Sequence, residues 1–210
     1  PMTATTDAAG LWAATHVERA ALADDLATLT PAQWATPSLC AGWTVEEVVA
    51  HLTAAASIGR WRWIASMVGA RFGPAVHNAR RLAEHRGATP AETLARFRAV
   101  RASTVAPTGH TAAWLGEVIV HGEDVRRPLG IGRTPPVAVT TPVATFFAAR
   151  DFTVAGRTLR RGLRLEATDG PFVAGEGPRV AGSTLALVMV LAGRASGAAE
   201  RRASAASSLG

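Results

Sequence analysis

Apolar residues recur at intervals of three and four through most of the first 128 residues, the period of helices that bury one face. Leu11, Ala14, Val17, Ala21, Leu22, Leu26 and Leu29 predict an amphipathic helix over residues 7–29. Thr30 and Pro31 open a short helical turn containing Trp34, and residues 35–42 form a loop punctuated by Pro37 and Gly42. Thr44 with Glu47 three residues later is a capping box, the clearest helix start in the chain. The helix it opens carries Val45, Val48, Val49 and Leu52 on one face, and the pattern extends through Trp61, Trp63, Ile64 and Met67 to about residue 68. A weaker helical segment covers residues 75–86. Thr89-Pro90-Ala91-Glu92 is a second capping box, opening a helix through Leu94, Phe97, Val100 and Val105 that Pro107, Thr108 and Gly109 close. The fourth main helix spans residues 111–127, with Trp114, Leu115, Val118, Ile119 and Val125 as its apolar members and Pro128 as its stop.

After Gly130 the pattern changes to shorter apolar runs among prolines, threonines and glycines. Residues 131–139 read as a linker or short strand, and residues 141–150 as a helix. Residues 152–154, residues 163–167 and Val173 read as strands, and residues 183–193 as an apolar helix. The outline is α+β: a helical bundle over residues 1–130, a small α/β domain over 131–195 and a flexible tail over 196–210.

The composition narrows the class. With 210 residues, 48% of them hydrophobic, the chain can fill a core. A single cysteine, Cys40, excludes an internal disulfide and a multi-cysteine zinc site. Net charge is +6, and all 22 basic residues are arginine. That balance would attract a polyanion, but it also fits a biased coding background. The arginines are scattered and no nucleic-acid-binding signature is present, so no nucleic-acid partner is expected. The longest apolar stretch, residues 181–193, is 13 residues long and too short for a bilayer. No signal peptide is visible either, so the expectation is a cytoplasmic protein with no membrane partner.

The chemistry concentrates in the fourth helix. Glu117 and His121 are four residues apart and share a helix face, with Asp124 three beyond His121. Such a pair offers one oxygen and one imidazole nitrogen to a divalent cation, or is a simple Glu–His hydrogen bond. His51, on the inward side of the second helix, is either a core histidine or a third ligand. A His/His/Glu set leaves a position open for water or substrate, as catalytic zinc sites do, though nickel, iron or manganese would also be accepted. Asp124 either orients His121 or a bound ligand, or pairs with Arg126 or Arg127. Cys40 reads as a small buried thiol in the loop before the second helix rather than a nucleophile. His16, His77, His85 and His110 read as surface or capping residues.

Two segments carry a resemblance. Residues 38–52, SLCAGWTVEEVVAHL, and residues 117–130, EVIVHGEDVRRPLG, resemble the two signatures of the mycothiol-dependent maleylpyruvate isomerase family, within the DinB-like superfamily. Residues 163–169, 177–183 and 191–194 are similar to that family's C-terminal domain. The resemblance implies a DinB-like four-helix bundle in which His51, Glu117 and His121 hold a divalent metal, usually zinc. Asp124 and Arg126 would contact a bound thiol or substrate. The family isomerase uses a C-terminal arginine, for which Arg164, Arg179 and Arg194 are the candidates here. The implied activity is isomerase- or S-transferase-type chemistry on a small electrophilic, carboxylate-bearing substrate, using mycothiol, in a monomer or homodimer. Two alternatives stand beside it: a metal-dependent hydrolase or lyase without thiol, and a non-catalytic ligand-binding or regulatory module.

Overall fold

The computed structural model describes residues 7–59 and 82–194, which fall into two compact units: residues 12–133, and residues 1–11 with 134–210. Trp61, Trp63, Ile64, Met67, His77, most of the 75–86 segment and the 196–210 tail lie outside the described residues.

The unit of residues 12–133 is helical. Its helices are α1 (Ala8–Leu26, the first turn of which belongs to the other unit), α2 (Pro31–Trp34), α3 (Val45–Ala55), α4 (Pro90–Ala99) and α5 (Thr111–Arg126). Its core gathers Leu22, Ala23 and Leu26 of α1, Trp34 of α2, Val45, Val48, Val49 and Leu52 of α3, Leu94 and Phe97 of α4, and Val118 and Val125 of α5. α3 packs against both α4 and α5.

Three local expectations shift. The buried face of α1 begins with Thr15, Glu18 and Arg19, while Val17 is 59% exposed. Partners explain the turned face. The Glu18 carboxylate accepts two 2.8 Å hydrogen bonds from Arg133, and Arg19 Nη1 donates to the Ser103 carbonyl at 2.7 Å. A buried carboxylate paired with an arginine, and a guanidinium bonded to a carbonyl, can outcompete one valine for the interior. α3 stops at Ala55, where the Ala56 N–H turns back onto the Leu52 and Ala54 carbonyls, instead of running on towards residue 68. α4 stops at Ala99 rather than reaching Val105, and its capping box is half built. The Thr89 hydroxyl accepts from Glu92 N–H, but the Glu92 carboxylate takes the Ala88 N–H at 2.9 Å.

The second unit combines α6 (Val137–Ala149), α7 (Gly156–Leu159), β1 (Arg164–Ala167), β2 (Val173–Ala174), β3 (Arg179–Gly182) and α8 (Thr184–Leu191). The strands form one sheet in the order β2-β1-β3. β1 runs antiparallel to β2, with Leu165 opposite Ala174, and parallel to β3, with Leu165 opposite Val180. α8 packs on α6, and the Asp169 carboxylate accepts the Thr184 N–H and hydroxyl at its start. The helix predicted over 141–150 therefore begins earlier, at Val137, where a strand was the alternative, and residues 152–154 form a bend. β3 was not predicted, because Gly177, Pro178 and Gly182 mask a strand of four residues. No described helix is long and apolar enough to cross a membrane.

Candidate metal centre

The site is assembled from two helices and the loop before one of them. Thr44 and Glu47 exchange capping bonds, the Glu47 carboxylate accepting the Thr44 N–H at 2.8 Å and the Thr44 hydroxyl accepting the Glu47 N–H at 3.3 Å. With the start of α3 pinned, Val48, Val49 and Leu52 are buried, and His51 falls beside that face, half-buried against the Trp43 ring at 5.0 Å between centroids. On α5, Glu117 and His121 share a face one turn apart, as their spacing predicts.

The two helices bring these three side chains together. His121 Nε2 lies 3.1 Å from Glu117 Oε2, and His51 Nε2 lies 3.7 Å from the same oxygen. The imidazole rings meet edge-on, 4.9 Å between centroids. One donor atom from each residue lies within 4.8 Å of the others. Four-coordinate zinc with bonds of about 2.0–2.1 Å spaces its donors roughly 3.3 Å apart. The two separations to the Glu117 oxygen, 3.1 and 3.7 Å, lie close to that spacing, and the imidazole and carboxylate donors suit zinc and its neighbours.

The electrostatics favour charge at this place. Burial alone would push the Glu117 carboxyl up, but hydrogen bonds and attraction from His121 and His51 hold it well below the usual carboxylate range. Burial alone would lower His121, but the Asp124 and Glu117 carboxylates outweigh it and push the imidazole up to about 9. Both shifts favour the charged forms, an imidazolium beside a half-buried carboxylate. A cation would take the proton's place.

Asp124 is fully buried, its Oδ2 3.0 Å from His121 Nδ1. That contact fixes the ring so that Nε2 faces Glu117, the arrangement by which an outer carboxylate orients an imidazole ligand. The pairings weighed for it with Arg126 or Arg127 are not the ones formed. Arg127 Nε donates to Glu123 at 2.8 Å. Arg126, 2% exposed, donates through Nε to Asp25 of α1 at 2.7 Å, and its Nη2 finds no acceptor among the described residues. Cys40 also converges here, one donor atom each from Cys40, His121 and Asp124 lying within 4.8 Å of one another. Sequence spacing missed this, since 81 residues separate Cys40 from His121. The tie is a loop contact, Leu39 N–H donating to the Asp124 carbonyl at 3.0 Å. Elsewhere, His16 Nε2 lies 3.3 Å from the Ser103 carbonyl and His110 stands at the start of α5, both away from the cluster. Arg164 and Arg179 lie in the other unit, paired with Glu166 on the sheet.

The molecule is thus a two-unit α+β protein whose helical unit carries a His/His/Glu cluster. Residues 15–110 match the family model of the mycothiol maleylpyruvate isomerase N-terminal domain. The match includes His51, while Glu117 and His121 lie just beyond it. The fold is similar to the crystal structure of the mycothiol-dependent maleylpyruvate isomerase (17% identity, 90% of each chain covered, TM-score 0.61). It is equally similar to a histidine-to-alanine mutant of that enzyme (17% identity, 91% of each chain, TM-score 0.62). Among curated proteins, nothing matches the chain in sequence.

Proposed function

We propose that this chain is a metal-dependent enzyme that uses a low-molecular-weight thiol such as mycothiol in isomerase- or S-transferase-type chemistry on a small electrophilic carboxylate. The convergence of His51, Glu117 and His121 carries the proposal, and the family match over residues 15–110 supplies the thiol. In this reading the helical unit is a DinB-like four-helix bundle, residues 1–130 and 131–195 act as separate domains, and the protein works in the cytoplasm.

The three residues would hold a divalent cation, zinc by donor type. Bound there, the cation supplies the lowered thiol pKa that makes a thiolate nucleophile available at neutral pH. The protein's own groups do the rest. Asp124 keeps the His121 ring in the tautomer that presents Nε2. Trp43 walls the site beside His51. The half-buried setting limits water around the cluster. One of the chain's 22 arginines is suited to the substrate carboxylate, because guanidinium pairs with it in two parallel hydrogen bonds.

Metal content of purified wild type beside His51→Ala and His121→Ala tests the cation. The expectation is near-stoichiometric divalent metal in wild type and loss of most of it in both variants. Unchanged metal in both would overturn the proposal. A thermal-shift series with mycothiol or a surrogate thiol tests the second half, stabilisation of the metal-loaded protein being expected.

A further inference from the structure

Cys40 has no part in the chemistry proposed above, yet it converges on His121 and Asp124, which do. The cluster contains the chain's one thiol, and two of its three members are almost fully buried: Asp124 at 0% and His121 at 8% exposure. Cys40 itself is half-buried. The donors sit within 4.8 Å of one another, and the His121 Nδ1 to Asp124 Oδ2 separation of 3.0 Å is a few tenths of an ångström short of the spacing around a tetrahedral ion. His121 presents its other nitrogen, Nε2, to Glu117. The two clusters therefore stand back to back across one imidazole.

We infer that Cys40, His121 Nδ1 and Asp124 form a second cation position, one that takes a soft divalent ion such as Cd2+ or Zn2+. The donor set differs from the first in kind. A thiolate joins one nitrogen and one oxygen, and thiolate selects soft cations over hard ones. When the ion binds, the Cys40 sulfur and His121 Nδ1 each give up a proton to solvent and form a bond to the metal. The His121–Asp124 hydrogen bond is exchanged for two metal bonds. Because His121 is common to both, filling one alters the other. This site does not depend on the proposed reaction or on the His51–Glu117–His121 centre being loaded.

The test is a Cd2+ titration of the full chain after chelator treatment, read by thiolate-to-cadmium charge-transfer absorption and by equilibrium dialysis. The single cysteine makes the absorption band specific for Cys40. Wild type should develop the band. Cys40→Ser, an isosteric change of one atom, should lose the band and one equivalent of Cd2+ while keeping its circular dichroism spectrum. His51→Ala should keep the band. If His51→Ala also keeps its full complement of Cd2+, the first centre fails while this one stands. Asp124→Asn should weaken Cd2+ binding at the band by about 10-fold or more. No band at saturating Cd2+ would overturn the inference. So would an undiminished band affinity in Asp124→Asn, or a band that saturates at half an equivalent with formation of a dimer, which would mean Cys40 binds the ion alone or between two chains.

Discussion

Replacing Asp124 by asparagine preserves shape and leaves an amide oxygen to accept the His121 Nδ1–H, so it removes charge with little loss of packing. In the metal-free protein two carboxylates, Asp124 and Glu117, raise His121 from 6.5 to about 9 against the opposing effect of burial. That displacement corresponds to about 3 kcal/mol of stability, at about 1.4 kcal/mol for each pH unit. The sign follows from which state holds the proton more tightly. The folded protein does, so the contribution is complete below pH 6.5 and is lost as pH rises through about 9. Asp124→Asn removes one of two supports and should shrink the loss to roughly half, on the order of 1–2 kcal/mol. Urea unfolding of chelator-treated protein at intervals from neutral pH to above 9 measures it, in a Cys40→Ser background that removes thiol titration from the same window. The His121 ring resonance, followed by NMR, should titrate at lower pH in the variant. Superimposable stability profiles for the two proteins, or a wild-type ring that titrates as an ordinary histidine, would refute the reasoning.

Other expectations follow from the same packing. Divalent metal should bind more tightly as pH rises towards 9, because it displaces a proton from His121; calorimetry in buffers of different ionisation enthalpy should show proton release, and a pH-independent affinity would contradict it. Arg133→Ala leaves the Glu18 carboxylate, 2% exposed, without its two hydrogen bonds. Denaturant unfolding should register a loss of about 3 kcal/mol, less if Glu18 is changed to glutamine in the same chain. Phe97→Ala opens a cavity at a fully buried core position and should cost about 3–5 kcal/mol on the same measurement. Thr44→Ala removes the capping hydroxyl of α3 and should cost about 1 kcal/mol, recovered largely by serine.

The legible parts of the chain were those whose signal is local. The capping box at Thr44 and Glu47, the proline-led start at Thr30 and Pro31, and the helix from Thr111 to Arg126 all depend on residues within a few positions of each other. The Glu117–His121 pairing is legible for the same reason, as an i, i+4 relation on one helix. What could not be read was set by distant partners. Nothing near Glu18 or Arg19 says that they point inward, because the groups that bond them, Arg133 and the Ser103 carbonyl, lie more than 80 residues away. β3 is four residues long and gains its identity from pairing with β1, not from its own alternation. Asp124 had an open choice among nearby partners in the sequence. In the structure Asp25 pairs with Arg126 and Glu123 with Arg127, while the buried Asp124 carboxylate pairs with His121.

That partition of charge on the last two turns of α5 also explains why the site tolerates so much burial. Glu123, Asp124 and Arg126 are all buried, a costly arrangement for three ionisable side chains within four residues. Each is given a separate partner: Glu123 an arginine on its own helix, Arg126 an aspartate on α1, Asp124 an imidazole one turn back. The loop of residues 38–43 then closes over Asp124 through the Leu39 N–H, and the same loop leads into the cap that sets the position of His51. Ring orientation at His121 and the placement of His51 are therefore coupled through one short segment. A change that loosens this loop, such as Ser38→Ala, which removes the hydroxyl that donates to the Trp43 carbonyl at 2.8 Å and accepts the Cys40 N–H at 3.1 Å, should weaken metal binding without touching a ligand. Dialysis against a metal buffer should show that loss alongside an unchanged α-helical signal. Retention of full affinity would show that the two helices alone hold the cluster in place.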